Sequence, residues 1–177
     1  MEIGCGTADF ICALASKEPQ VNFIGLDASW KPLFRAVRTA ASLGLDNIKF
    51  IKANFRLMRP LFVPASLETV YLHFPDPNQQ PKFQKRQLFS PAFLDQMHMA
   101  LTPSGYLSVM TDHAQFFMEM LNLVEQDGRF EKRHEARYLV GFEPEVKSRF
   151  QRIWEKYGLS ILRFEVKKRC SNSDHHL

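Results

Sequence analysis

The chain has 177 residues, of which 45% are hydrophobic, 12% aromatic and 24% charged, and its formal net charge is +4. That length allows one ordinary domain with its own core, and the composition excludes a disordered or collagenous chain, while no run approaches the ~20 apolar residues of a membrane-spanning helix. Only Met1 and Glu2 precede an Ile-Gly-Cys-Gly turn and the three cysteines form no CxxC or Cys/His pattern, so no secretory signal, disulfide framework or metal site is read and a cytoplasmic protein is expected.

Short apolar runs alternate with stretches of helical period, which predicts an α/β domain with a mainly parallel, doubly wound sheet over residues 1–169. In chain order the expected strands are a stub at Met1 to Ile3, then Val21 to Leu26, Ile48 to Ile51, Thr69 to His73, Tyr106 to Met110 and Ser160 to Val166. The first is short for a central strand, which points to a missing upstream stretch or a tolerated stub. Helices are expected between the strands, each with an apolar stripe assigned to the core. The stripes are Trp30, Leu33, Phe34 and Val37 behind a Ser29 cap; Phe93, Leu94, Met97 and Leu101 behind Ser90 and Pro91; Phe117, Met120, Leu121 and Val124; and Val146, Phe150, Ile153, Trp154 and Tyr157, ending at Gly158. Residues 170–177 are polar and are expected to form a disordered tail.

Chemistry-bearing residues cluster after the predicted strands. Glu2 stands two residues before Gly4, with Gly6 following, on a strand-to-helix turn where glycines let the backbone approach a ligand. The third glycine of a dinucleotide loop is replaced by Asp9, which disfavours a pyrophosphate and leaves a nicotinamide enzyme as the weakest reading. An acid at this point suits a cationic ligand such as S-adenosylmethionine. Asp27, 21 residues after Gly6, has the spacing of an acid that accepts ribose hydroxyls; Asn54 suits an adenine edge or a turn. Phe74-Pro75-Asp76-Pro77 and Thr111-Asp112 end the fourth and fifth strands, at the edge where open α/β sheets bind ligands. Lys82, Lys85 and Arg86 follow among glutamines, and suit phosphate contacts. Residues 129–169 carry 12 Lys and Arg against 6 Asp and Glu, whereas residues 1–128 carry 11 against 12. The basic third, including Arg149 and Arg152, is therefore either a polyanion surface or a solvated face.

With these residues in hand, the chain resembles the bacterial tRNA (guanine-N7)-methyltransferase family from Glu2 to about Arg169. The resemblance rests on Phe74-Pro75-Asp76-Pro77 with Lys85-Arg86 and Ser90-Pro91 behind it, on Thr111-Asp112, and on Ser148-Arg149-Phe150-Gln151 where the family carries Thr-Lys-Phe-Glu. It implies a Rossmann-like methyltransferase fold with an antiparallel C-terminal strand, S-adenosylmethionine as donor, no metal, and a variable-loop guanosine of tRNA as acceptor. It further implies donor binding by Glu2, Gly4, Gly6, Asp27 and Asn54, substrate binding by Phe74, Asp76, Lys85, Arg86, Asp112, Ser148, Arg149 and Gln151, and catalytic roles for Asp76, Asp112 and Gln151. The sequence departs from the family at Ala8 for a glycine, at Asn78, Gln80, Phe83 and Gln87 in the basic loop, and at Gln151 for a carboxylate; the N-terminal basic arm is also missing.

Guanine N7 carries no proton, so its alkylation calls for alignment rather than a general base. Asp76 suits the guanine N1 and N2 donors and Asp112 the positive charge that develops on the ring; Phe74 either stacks on the base or packs. On electrostatic grounds Gln151→Glu is expected to speed methyl transfer, unless the amide donates to a neighbouring carboxylate, in which case the added charge slows it. A catalytically inactive relative and a methyltransferase for a non-RNA substrate are the competing readings, and monomer and homodimer both stay open.

Overall fold

The structure is a computed structural model and describes residues 1–57, 62–77 and 88–169. Its strands are β1 (Glu2–Ile3), β2 (Phe23–Asp27), β3 (Ile48–Lys52), β4 (Leu67–His73), β5 (Leu101–Thr111), β6 (Phe130–Lys132), β7 (Leu139–Val140) and β8 (Leu162–Lys168), with helices α1 (Asp9–Lys17), α2 (Trp30–Ser42), α3 (Pro91–Ala100), α4 (Ala114–Gln126) and α5 (Arg149–Lys156) between them. They form one sheet in the order β3-β2-β1-β4-β5-β8-β6, with β7 also on β8. The first five strands pair in parallel, and β8 runs antiparallel to β5, β6 and β7.

Every predicted strand is present, and β6 and β7 are additions that three and two residues could not announce by periodicity. The stub β1 holds the centre because backbone bonds extend it at both ends. Tyr71 N–H donates to Met1 O at 2.8 Å, and Gly4 and Cys5 N–H both donate to Leu26 O, at 2.7 and 3.0 Å.

Two layers of side chains cover the sheet. On one face Leu26, Val70, Leu72, Leu107, Val109 and Phe164 meet Phe93, Leu94 and Met97 of α3 and Phe117, Met120, Leu121 and Val124 of α4, as the sequence stripes predict. Ser90 caps α3 as expected, accepting from Phe93 N–H at 3.3 Å with Pro91 in the first turn. On the other face α1 and α2 pack over β2 and β3 through Phe10, Ile11, Leu14, Leu33, Ala36 and Ala40.

The remaining two stripes require correction. In α2 the buried residues are Leu33, Ala36 and Ala40, while Trp30, Phe34 and Val37 are 61%, 51% and 49% exposed. Small alanines let α2 lie close on the sheet, which turns the large side chains outward. Ser29 occupies the N-cap position without a side-chain bond; its N–H is taken by Asp27 instead. In α5 the one buried residue is the polar Gln151, and Phe150 and Tyr157 face solvent, although Val146 just ahead of the helix is in the core. Gly158 ends α5 as expected, at φ +73°, with its N–H on Glu155 O and the Leu159 N–H on Trp154 O.

Candidate active site

The carboxyl edge of β1 to β5 gathers the sequence candidates. The chain leaves β1 through Gly4 and Gly6, both at positive φ (+74° and +54°), where a Cβ would meet nothing within 4 Å; the turn is glycine for its backbone and is open on its outer side. Ala8, at the position where the resemblance implies glycine, keeps the left-handed conformation at φ +59° as the N-cap of α1, at a cost of about 1 kcal/mol.

Asp27, at the end of β2, ties this turn to the next helix. Its Oδ2 accepts from Gly6 N–H at 2.8 Å and its Oδ1 from Ser29 N–H at 2.7 Å. The two amides fix the carboxylate plane and leave a lone pair on each oxygen for a ligand. Beside it opens a cavity of about 710 Å³ lined by Gly4, Asp27 and Asn54, and also by Leu26, Phe55 and Arg56. Asn54 Oδ1 accepts from Arg56 N–H at 3.1 Å, so this side chain shapes the turn while still facing the cavity. Arg56 carried no signal in the sequence; its place comes from the short helical turn at Phe55–Leu57 that Asn54 starts.

Glu2 sits beneath the cavity rather than on its wall. It is 5% exposed, it faces the Ile11 N–H in the first turn of α1, and burial pushes its carboxyl up to about 8. Its Oε2 has no hydrogen-bond partner among the described residues.

A second group of residues lies further along the same edge. Phe74 is held at φ +51°, unusual for a bulky side chain, with its N–H on Met110 O at 2.7 Å. His73 pairs with Met110 across β4 and β5, so exposed Asp76 and half-buried Asp112 leave neighbouring strands side by side. The Phe150 ring stands 5.8 Å from the Phe74 ring, which places the first turn of α5, with exposed Arg149, over the Phe-Pro-Asp-Pro segment. Ser148 is the cap of α5, accepting from Gln151 N–H at 3.0 Å.

Gln151 is not on this rim. It is fully buried, its Nε2 donates to Glu155 Oε1 at 2.9 Å, and it lines a smaller cavity of about 250 Å³ with His73, Tyr71, Tyr106 and Arg163. His73 packs edge-on against Phe10 and Tyr71, and burial together with Arg163 lowers its imidazole to about 3, so it is neutral at physiological pH. Lys82, Lys85, Arg86, Asn78, Gln80, Phe83 and Gln87 lie outside the described residues, as does the tail from Cys170.

Among the described residues no group of three His, Cys, Asp or Glu could hold a metal ion, and no helix is long and apolar enough to cross a membrane. The residues present fit S-adenosylmethionine. An oriented carboxylate and an amide flank a cavity wide enough for a nucleoside, and the open glycine turn adjoins a buried acid with an unpartnered oxygen.

Residues 1–163 match a family described as putative methyltransferase. Among curated proteins, the chain is 50% identical over 166 residues to a tRNA (guanine-N(7)-)-methyltransferase of Rubrobacter xylanophilus, covering 94% of this chain and 74% of that protein. It is 40% identical over 169 residues to one of Chloroherpeton thalassium, with 96% and 75% covered. Among solved structures it resembles TrmN from Thermus thermophilus, with a TM-score of 0.67 at 21% identity over 95% of this chain and 43% of that one. It also resembles a SAM-dependent methyltransferase from Thiobacillus denitrificans in complex with S-adenosyl-L-homocysteine, with a TM-score of 0.59 at 13% identity over 95% and 84%. These two share the fold: an α/β methyltransferase sheet, mostly parallel, with an antiparallel C-terminal strand. On the strength of its curated relatives, the chain belongs to the bacterial tRNA (guanine-N7)-methyltransferase family.

Proposed function

We propose that this chain transfers a methyl group from S-adenosylmethionine to N7 of a guanosine in tRNA. The observation that carries the reading is the carboxyl edge itself, where Asp27, clamped by the Gly6 and Ser29 amides, faces a nucleoside-sized cavity at the ends of β1, β2 and β3, with Asp76 and Asp112 following β4 and β5, the next two strands of the sheet. When bound, the donor supplies a methyl group on a positively charged sulfur; the lone pair of N7 takes that methyl, the carbon–sulfur bond breaks, and the positive charge passes to the guanine ring.

The protein's own residues bind and align. Asp27 accepts from the ribose hydroxyls, Asn54 contacts the adenine, and Glu2, whose carboxyl burial keeps protonated in the folded chain, would ionise beside the donor's cationic end under the Gly4–Gly6 turn. Asp76 accepts from the guanine N1 and N2 donors and Asp112 faces the ring on which charge develops. Ser148 and Gln151 hold α5 in place, which keeps Arg149 and Phe150 over Phe74, and Lys85 and Arg86 contact phosphates. No general base is invoked, since no proton leaves N7.

Unmodified tRNA transcript and labelled donor test this. The parent protein is expected to form 7-methylguanosine in tRNA. Asp27→Ala should weaken donor binding tenfold or more by calorimetry with tRNA affinity kept, and Asp76→Ala should slow single-turnover transfer tenfold or more with donor affinity kept. A parent that binds donor yet labels no tRNA refutes the reading.

A further inference from the structure

The segment count of charge places the basic surface in residues 129–169, and the structure shows further charge outside that third that is unpaired among the described residues. Of the cations in that third, Arg129, Arg133, Arg137, Lys147, Arg163 and Lys167 each lie against a carboxylate. Helix α2, in the nominally acidic remainder, carries Lys31, Arg35 and Arg38 and no acid. All three are exposed, and none forms an ion pair among the described residues.

Helical geometry sorts these residues into two stripes. Trp30, Phe34 and Val37 follow i, i+4, i+7, and Lys31, Arg35 and Arg38 repeat the pattern one residue later, about 100° round the helix. The buried stripe of Leu33, Ala36 and Ala40 holds α2 on the sheet, so both outer stripes are fixed in direction. Trp30 and Phe34 have their ring centroids 6.3 Å apart. The helix starts two residues beyond Ala28, which lines the large cavity, and Lys52 and Arg56, both exposed, leave the neighbouring strand at the same edge without an ion pair among the described residues.

We infer that the outer face of α2 is a tRNA-binding surface, with Lys31, Arg35 and Arg38 on phosphates and Trp30 and Phe34 against unpaired bases or riboses. The assignment rests on the tRNA reading proposed above and adds a contact that neither the basic loop nor the C-terminal third supplies. Charge complementarity selects the occupant. Seven residues of helix cover about 10 Å, over which one strand of a duplex presents roughly three phosphates, and aromatic side chains beside free cations form the usual platform for single-stranded bases. A second copy of the chain suits this face poorly, since a twofold contact would set the same three cations against themselves with no acid on the helix to answer them.

Two variants on the full chain test this against an unmodified tRNA transcript, over a salt series. Lys31→Gln/Arg35→Gln/Arg38→Gln should reduce the log–log salt slope by about two to three and weaken binding tenfold or more at low salt. Trp30→Ala/Phe34→Ala should weaken binding about tenfold and leave the slope unchanged, which separates stacking from charge. In both, donor affinity by calorimetry stays within twofold of the parent, and methyl transfer loses in KM for tRNA rather than in kcat. Variants that bind tRNA as the parent does, while the parent methylates it, overturn this surface and leave the proposed function standing. A parent with no tRNA affinity refutes both. A parent that is a dimer in sedimentation, and that Trp30→Ala/Phe34→Ala converts to monomer with tRNA affinity kept, assigns the face to a second copy and also overturns the inference.

Discussion

Gln151 donates its amide to Glu155 one turn along α5, and Glu155 in turn pairs with Lys147 at 2.9 Å. This is the arrangement under which an added charge at position 151 hinders rather than helps. A glutamate there would be fully buried and at i,i+4 from a like charge. Gln151→Glu is therefore expected to lower stability by about 1–3 kcal/mol and to slow single-turnover transfer, with donor affinity unchanged. A variant faster than the parent would return Gln151 to the electrostatic role that the family pattern implies. The position was legible in the sequence as a departure from that pattern. Its orientation was not, because a side chain's partner one turn away counts only once the helix face it shares is known to be buried.

At the scale of elements, β8 shows how buried charge organises the C-terminal part of the sheet. Glu165 is 3% exposed and is shared by Arg163 from its own strand and by Arg133 and His134, at 3.1 and 2.8 Å, from the segment after β6. Arg133 also lies over the Tyr106 ring at 3.7 Å, so β5, β6 and β8 are joined on one face by a single carboxylate. Glu165→Ala leaves three donors without their acceptor and is expected to cost about 3 kcal/mol, or roughly 6–12 °C in Tm for a chain of this size. Calorimetric melting of the two proteins checks it; an unchanged Tm would mean the cations turn to water at no cost. Strand β8 was readable from its apolar alternation, whereas β6 and the ionic cluster were not, since three residues of strand and charges 30 positions apart leave no periodic trace.

For the molecule as a whole, the burial of Glu2 under the glycine turn couples folding to pH. The folded chain holds a proton on Glu2 up to about 8, against an ordinary value of 4.5, so between those limits the folded state binds the extra proton and stability from this group falls as pH rises. The Met1 amine, lowered by burial to about 6 from 8.0, acts with the opposite sign between 6 and 8. The two oppose each other in the parent. In Glu2→Gln the first is gone, and relative to the parent the variant should gain up to ~2 kcal/mol between pH 6.5 and 8, at about 1.4 kcal/mol per pH unit. Urea unfolding of both proteins at the two pH values measures the difference; equal changes would show that Glu2 is ionised in the folded chain.

What the sequence determined alone is what local order controls. Strand and helix positions follow from hydrophobic period. The ligand edge follows from where Gly4, Asp27, Asp76 and Asp112 fall relative to strand ends, because a parallel α/β sheet delivers all those ends to one side. The tertiary structure decided which side of each element is covered. The apolar stripes of α2 and α5 read as core by period, yet Ala36 and Ala40 bring α2 so close to the sheet that Trp30 and Phe34 are left outside, and α5 buries Gln151. It also decided which charges are paired, since Arg129, Arg133 and Arg137 meet acids distant in sequence while the cations of α2 form no ion pair among the described residues. Burial and ion pairing are properties of surfaces that come together through long-range contacts, and a count along the chain cannot contain them.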